Sequence, residues 1–233
     1  MSEFAEVLRQ FSTAQKPAKG ASVYTLFVNR PAGRLLAAVA YRIGATPNHL
    51  TLLGAMFTFP ALAAVALVPP GWVSSACVCA ALATGFALDS ADGQLARRQR
   101  SGSPSGEWLD HVLDCGKIVT LHLVVLVAFY RFFTLPSPAF LLAPMAFEFA
   151  SVVIFFAGIL TEKLKRRGAA DGTAAPSPAL RSLLLLPVDY GVTCFSFLFL
   201  GSQHVFLSLY CTLLVAHLLF MAAFLVKWFR ELR

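Results

Sequence analysis

Four aspartates occur at helical spacings within one short window of an otherwise apolar sequence. Asp89 and Asp92 are three residues apart and Asp110 and Asp114 are four apart, so each pair shares one face of a helix. Five of the 12 acidic residues fall between residues 89 and 114. Ionisable side chains at membrane depth are costly and commonly mark a functional site. The two pairs therefore predict a carboxylate site at the meeting point of two helices.

Neighbouring carboxylates repel one another or take up protons unless cations neutralise them. Oxygen ligands without clustered His or Cys favour Mg²⁺ or Mn²⁺, and four carboxylates are enough to bridge two ions. Such a site binds phosphate or pyrophosphate and promotes displacement at phosphorus. In the alternative interpretation, the acids only pair with Arg97, Arg98 and Arg100.

Small residues are interleaved with these acids. Gly93 lets a ligand approach the backbone closely, and Ala96 keeps the same helix face open. Arg97 stands one turn after Gly93 and is able to hold a phosphate oxygen bidentately. Together with Gly106, these residues predict a groove for a nucleotide diphosphate.

The composition indicates which elements position this site. The 233 residues are 58% hydrophobic and 13% charged, with a mean hydropathy of +0.70, whereas a soluble domain is about 45 to 50% apolar and about 25% charged. Six apolar segments are long enough to cross about 30 Å of hydrocarbon as helices. They cover approximately residues 47–68, 72–97, 107–133, 138–160, 180–200 and 204–229. We predict an all-α polytopic membrane protein with six transmembrane helices.

In this interpretation, the positive residues behind the formal charge of +7 indicate how the helices are oriented in the membrane. All of the 19 Lys and Arg residues except Lys117 and Arg131 fall on one side of the predicted spans. Because short cytoplasmic loops carry the excess of Lys and Arg, we expect both termini and the acidic site to face the cytoplasm. We expect the basic residues to face the anionic membrane surface. Nucleic acid is excluded as a partner, because the apolar segments leave no solvated basic face to bind it.

The segment before the first span mixes apolar residues with arginines. Leu26, Phe27 and Leu35 alternate with Arg30 and Arg34, as in an amphipathic helix lying on the membrane interface. An ordinary lead-in to the first span is the alternative. We predict a cytoplasmic or interfacial segment over residues 1–45 and a transmembrane catalytic domain over residues 46–233.

The positions of the histidines favour packed side chains over metal ligands. His111 lies next to Asp110 but one residue off the acidic face, and His122, His204 and His217 are scattered through the spans. We expect packed, hydrogen-bonded side chains at these positions.

Residues 89–114 resemble the signature of the CDP-alcohol phosphotransferases, the CDP-alcohol phosphatidyltransferase family. That signature is DxxDGxxAR, eight residues, and GxxxDxxxD. All of its fixed positions are present: Asp89, Asp92, Gly93, Ala96, Arg97, Gly106, Asp110 and Asp114. The TPNHLT stretch at residues 46–51 is similar to the family's usual lead into its first transmembrane helix.

The resemblance implies a six-helix membrane enzyme with a polar cytoplasmic cavity, usually a homodimer. The implied general base is Asp114. The implied ligands of two divalent ions are Asp89, Asp92, Asp110 and Asp114. The implied CDP site is lined by Gly93, Ala96, Arg97 and Gly106.

The resemblance also implies a reaction. A phosphatidyl group passes from a CDP-alcohol, first of all CDP-diacylglycerol, to the hydroxyl of a small polar alcohol or alcohol phosphate such as inositol phosphate or glycerol phosphate, and CMP is released. We predict acceptor contacts at Asp189, Arg181 and Lys117. Two alternatives stay open: a transferase of this family with a soluble CDP-alcohol donor, and a non-catalytic transporter that binds divalent cations through the acids.

Overall fold

The structure, a computed structural model, describes residues 3–13, 21–168 and 179–233, with side chains for residues 6–12, 21–165 and 182–233. These residues form α-helices and short 3-10 and π segments, without a strand. The α-helices are α1 (Glu3–Thr13), α2 (Arg30–Arg42), α3 (Pro47–Leu67), α4 (Trp72–Gln99), α5 (Pro104–Phe132), α6 (Leu142–Gly168), α7 (Ala179–Leu184), α8 (Tyr190–Ser196) and α9 (Gln203–Glu231).

Five helical segments of the described chain are long and apolar enough to cross a membrane. They are α3, α4, α5, α9 and the continuous stretch Pro138–Lys165, which joins a 3-10 turn to α6. The predicted all-α polytopic membrane fold is therefore confirmed. Thr46 caps α3 as the sequence suggests, since its hydroxyl accepts a hydrogen bond from the His49 backbone N–H at 3.4 Å.

The predicted sixth long span, over residues 180–200, is not one helix. The chain there forms α7, a 3-10 turn (Leu186–Val188), α8 and a second 3-10 turn (Phe197–Phe199). Pro187 has no backbone N–H to continue α7, and Asp189 is extended, with φ −79° and ψ 130°, as the N-cap of α8. The longest apolar helical stretch there is Tyr190–Phe199, so the number of long spans in the described residues is five instead of six.

Helices α3 and α4 cross at two glycines. A Cβ on Gly54 would lie 3.2 Å from the Gly85 carbonyl oxygen, and a Cβ on Gly85 would lie 2.1 Å from the Thr58 hydroxyl. Small residues at such a crossing let two backbones approach closely. This contact fixes the register that brings the beginning of α3 beside the acidic end of α4.

The remaining helices are tied together at both ends of the bundle. At the acidic end, Lys163 on α6 lies 2.6 Å from Glu107 on α5, and Lys165 pairs with Glu231 on α9. At the opposite end, Gln203 donates a hydrogen bond to the Phe132 carbonyl at 2.9 Å. The main apolar core fills the half of the bundle away from the acids; its fully buried rings are Phe129, Phe147, Phe197, Phe206 and Tyr210.

The N-terminal residues pack against the acidic end of α4. Helix α2 lies on α4 with Gly33 at the contact, where a Cβ would come within 2.7 Å of the Ser90 hydroxyl. Its other side exposes Leu35 and Val39, and the preceding π segment (Thr25–Asn29) exposes Phe27, a distribution that suits the predicted interfacial location. Helix α1, for which the sequence analysis made no prediction, buries Phe11 completely.

Candidate active site

Helices α4 and α5 position the acids through a tight connection of four residues. Arg100, in the left-handed conformation at φ 52°, ends α4, and the Ser103 hydroxyl caps α5 by accepting a hydrogen bond from Gly106 N–H at 3.1 Å. The two helices return alongside each other, so both acidic faces meet. The structure thereby brings together all four predicted aspartates.

The four aspartates line one open cavity of about 290 Å³. The π segment and α2 close one side of it with polar side chains, and Phe86 and Phe155 supply apolar wall. Besides the four acids, the polar lining residues are Thr25, Asn29, Arg30, Ser90, Gln94, Arg97 and His111. Gln94 holds the start of α2 in place by donating a hydrogen bond to the Arg30 carbonyl at 3.1 Å.

Asp92 is the most buried of the four acids that line the cavity, with 6% of its surface exposed. The Thr51 hydroxyl on α3 donates a 2.6 Å hydrogen bond to Asp92 Oδ2. This contact orients the carboxylate and satisfies one of its oxygens, which a buried polar group requires. Thr51 belongs to the TPNHLT stretch. The only feature of the sequence that indicates its bond to Asp92 is the presence of a polar side chain in an apolar helix.

Lys117 lies between two of the acids. Its Nζ is 2.9 Å from Asp89 Oδ1 and 2.6 Å from Asp114 Oδ1. The contact with Asp114 follows from the three-residue spacing, which places both side chains on one helix face. The contact with Asp89 could not be predicted from spacing, because Asp89 belongs to another helix. Its contact with an acceptor stays a prediction.

His111 completes a three-residue cluster with Asp110 and Asp114. One ligand atom from each lies within 4.8 Å of the other two. His111 Nδ1 is buried, 3.8 Å from Asp110 Oδ2, and makes no hydrogen bond with the described residues. The expectation of a hydrogen-bonded, packed side chain is therefore wrong for this nitrogen, whereas His122 fulfils it by bonding to Tyr210 Oη at 2.7 Å.

The donor set of this cavity fits a divalent cation. Carboxylate oxygens are the ligands that Mg²⁺ and Mn²⁺ prefer, and imidazole is an additional ligand that Mn²⁺ accepts. The unbonded nitrogen of His111 and the convergence of the acids from α4 and α5 are the features expected of ligands. The chemistry of the residues thus agrees with the cation that the sequence pattern predicts.

Two of the four residues predicted to contact CDP line the cavity. A Cβ on Gly93 would lie 3.2 Å from Arg97 Nη1, so the glycine leaves room for the guanidinium over the α4 backbone. Ala96 and Gly106 are not among the described residues that line the cavity. A Cβ on Gly106 would meet Asn48 Oδ1 at 3.1 Å, which gives this glycine a role in the approach of α5 to α3.

Asp189 lies outside this cavity, between α8 and the N-terminal segment. Its Oδ1 accepts a 2.7 Å hydrogen bond from Gly191 N–H, and its Oδ2 accepts one from the Thr25 hydroxyl at 2.6 Å and one from the Ser22 hydroxyl. Asp189 is 8% exposed, and its carboxylate docks the π segment onto α8. The side chain of Arg181 lies outside the described residues.

Tyr24 forms part of the same junction. Its ring stacks on Phe86, with centroids 6.2 Å apart and an interplanar angle of 8°. Burial raises the pKa of Tyr24 to about 12, so the phenol is neutral at physiological pH. The apolar wall of the cavity is thus continuous with the packing of the N-terminal segment.

Two further pockets continue from the acidic cavity into the bundle. An inner pocket of about 120 Å³ shares Phe86, Asp89, Asp114 and Phe155 with the cavity. A deep pocket of about 210 Å³ follows it and shares Ile118, Phe155 and Tyr190. The three pockets therefore adjoin one another from the acidic cavity to a mostly apolar interior.

Fold and site together define a polytopic α-helical membrane protein with a cavity lined by four aspartates and by Arg30 and Arg97. Residues 44–229 match the profile of the CDP-alcohol phosphatidyltransferase family, and the chain belongs to that family.

A phosphatidylinositol phosphate synthase of Corynebacterium glutamicum is 31% identical over 139 residues, which are 59% of this chain. The matched part spans 57% of that relative's own length. A crystal structure of the phosphatidylinositol phosphate synthase of Mycobacterium tuberculosis with CDP-DAG bound superposes with a TM-score of 0.55. The two chains are 20% identical, and the superposition covers 86% of this chain and 93% of that one. This likeness shows a shared fold.

Proposed function

We propose that this protein transfers a phosphatidyl group from CDP-diacylglycerol to the hydroxyl of a small polar alcohol or alcohol phosphate, with release of CMP, in phospholipid synthesis. The observation that carries the proposal is the cavity in which Asp89, Asp92, Asp110 and Asp114 converge beside Arg97. It combines ligands for a cation with a guanidinium for a phosphate.

Family membership and the relatives support this proposal. The family is named for phosphatidyl transfer from CDP-alcohols. The matched C. glutamicum protein is named a phosphatidylinositol phosphate synthase, and the matched crystal structure holds CDP-DAG. These names favour CDP-diacylglycerol as donor and an alcohol phosphate, such as inositol phosphate, as acceptor.

In the proposed reaction, Asp114 acts as the general base. Its carboxylate accepts the proton of the acceptor hydroxyl, whose oxygen forms a bond to the β-phosphorus of the donor. The bond between that phosphorus and the oxygen bridging to the α-phosphorus breaks, and CMP leaves with the electron pair. Arg97 binds the charge that develops on the leaving phosphate.

The residues that would hold divalent cations are the four aspartates, with His111 as a further ligand. We propose two ions, Mg²⁺ or Mn²⁺, as the resemblance implies. When bound, such ions polarise the phosphoryl oxygens and stabilise charge on the leaving group. Thr51 keeps the Asp92 carboxylate oriented for this role through its 2.6 Å hydrogen bond.

The acceptor would bind at the arginine-bearing side of the cavity. Arg30 and Arg97 both line the cavity, and two guanidiniums suit one diphosphate and one further phosphate group. The predicted acceptor contacts Asp189, Arg181 and Lys117 belong to this proposal as residues to be tested. We further propose that the cavity and both termini face the cytoplasm and that two copies of the chain form a homodimer.

The decisive experiment measures CMP release from CDP-diacylglycerol by the purified protein, with Mg²⁺, Mn²⁺ or EDTA and with a panel of acceptors. We expect metal-dependent CMP release that requires one acceptor. Asp114→Asn should abolish turnover and retain CDP-lipid binding, whereas Glu162→Gln, an exposed acid of the same membrane side, should keep full activity.

The same assay tests the two alternatives. A family member with a soluble donor would release CMP from a water-soluble CDP-alcohol in preference to CDP-diacylglycerol. A transporter would carry Mn²⁺ into protein-containing vesicles without releasing CMP. Normal turnover by Asp114→Asn would overturn the assignment of the base.

A further inference from the structure

Lys117 is a buried cation within the acidic site, at a position that the family signature does not include. The residue is 9% exposed and lies on α5, three residues after Asp114. A buried lysine retains its charge only beside partners that compensate for the loss of water. Here those partners are two residues that the proposed function assigns to divalent ions.

The ammonium is held from both sides. Its Nζ lies 2.9 Å from Asp89 Oδ1 on α4 and 2.6 Å from Asp114 Oδ1 on α5. One cation thus joins the first acid of the α4 pair to the last acid of the α5 pair. The proposed function assigns the same two carboxylates to the residues that would hold divalent ions.

Among the described residues that line the pocket beside the ammonium, Asp89 and Asp114 are the only carboxylates. Lys117 faces the inner pocket, whose remaining lining residues are Phe86, Ile118, Phe155 and Tyr190. A movement away from Asp89 and Asp114 would therefore place the charge among apolar and aromatic groups and give up both ion pairs. In the free protein, the two ion pairs therefore hold the ammonium at this position.

We propose that Lys117 is a resident cation that occupies the place of one divalent ion between Asp89 and Asp114. A divalent ion bound by the same two oxygens would stand within contact distance of the ammonium, and like charges at that distance repel. One ion can still bind at the group that Asp110, His111 and Asp114 form. The free protein then binds one divalent ion tightly, and a second ion binds between Asp89 and Asp114 only if the ammonium is displaced.

The inference rests on the metal site of the proposed function and is tested by counting ions. Mn²⁺ is titrated into the purified full chain in detergent, without substrate, and bound Mn²⁺ is followed by electron paramagnetic resonance. We expect one tightly bound ion per chain. Two ions of equal affinity in the wild type would overturn the role of Lys117 alone, whereas the absence of any bound ion would overturn the metal site of the proposed function.

Three variants make the test specific. Lys117→Met should bind a second Mn²⁺ at least tenfold more tightly than the wild type, whereas Lys117→Arg keeps the charge and should still bind one. Lys165→Met is the matched control, because Lys165 pairs with Glu231 on α9 and neither residue lines the cavity. It should bind Mn²⁺ as the wild type does.

The variants also separate this role from an acceptor contact. If Lys117→Met binds one ion with unchanged affinity and shows only a raised KM for the acceptor, the resident cation is refuted. If Lys117→Met does not fold without metal, its recovery of a folded state in Mn²⁺ supports the proposal, because the ion then replaces the missing charge. Failure of Mn²⁺ to restore folding, together with two ions bound to Lys117→Arg, refutes it.

Discussion

The ring of Tyr24 lies directly against the backbone of Gly191. A Cβ built on Gly191 would be 1.9 Å from Tyr24 Cε1, far inside any van der Waals contact. At the same junction, Thr25, the residue after Tyr24, donates a 2.6 Å hydrogen bond to Asp189, two residues before Gly191. The N-terminal segment is thus fitted onto the start of α8, next to the wall of the acidic cavity.

Gly191→Ala should therefore loosen this junction. The added methyl group displaces the Tyr24 ring, and overpacking of this kind costs about 1–3 kcal/mol. We expect a lower melting temperature in detergent and reduced turnover, because Phe86, on which Tyr24 stacks, lines the cavity. The double variant Tyr24→Ala with Gly191→Ala serves as the control: the methyl group should cost less there than in the wild-type background, and an equal cost would contradict the steric explanation.

Asp189→Ala should release the N-terminal segment from α8. The substitution leaves the hydroxyls of Ser22 and Thr25 and the Gly191 N–H without their acceptor, and hydrogen bonds to a charged group contribute about 1.5–3 kcal/mol each. Limited proteolysis should cut more rapidly near Arg30 than in the wild type. Asp189→Asn, which keeps one acceptor oxygen, should show a smaller effect, and a raised acceptor KM with unchanged proteolysis would instead favour the predicted acceptor contact.

Thr51→Val should weaken metal activation. Valine preserves the shape of the side chain but removes the hydrogen bond to Asp92, and the loss of a partner that orients a metal ligand lowers metal affinity about 10–100-fold. The Mn²⁺ concentration for half-maximal CMP release should rise accordingly. Thr51→Ser retains the hydroxyl and should behave as the wild type; identical Mn²⁺ curves for valine and serine would show that the hydrogen bond is dispensable.

Arg100→Gly should stabilise the protein slightly. Arg100 has φ 52°, and a left-handed conformation costs a non-glycine residue about 1–2 kcal/mol. Part of this gain is lost to the greater freedom of glycine in the unfolded chain, so we expect about 0.5–1 kcal/mol, measured as a higher melting temperature. Arg98→Gly, inside α4 and bonded to Gln10, is the opposite control and should destabilise.

The sequence was sufficient to predict most of the long helices and the grouping of the acids. The helix ends near Val68 and Trp72 follow from Pro69, Pro70 and Gly71, and the acidic faces follow from the local spacing of the aspartates. Both depend on residues close together in the chain, where periodicity and breakers are informative.

Other features depend on contacts between distant residues. Hydropathy alone predicted a span over residues 180–200, but the break at Asp189 involves the hydroxyls of Ser22 and Thr25. The bond between Thr51 and Asp92 likewise requires the crossing of α3 and α4 at Gly54 and Gly85. No local pattern indicates which partner such residues will meet.

The interrupted stretch after residue 179 has a consequence for how the membrane domain is divided. The helical residues Tyr190–Phe199 rise only about 15 Å, roughly half of the hydrocarbon thickness. The segment that begins at Ser22 lies beside this short helix, where Asp189 accepts hydrogen bonds from the hydroxyls of Ser22 and Thr25. A truncation that starts near residue 45 would remove Thr25, Asn29 and Arg30 from the lining of the acidic cavity and the hydroxyl partners of Asp189, so we expect a minimal active fragment to retain the residues from Ser22 onwards.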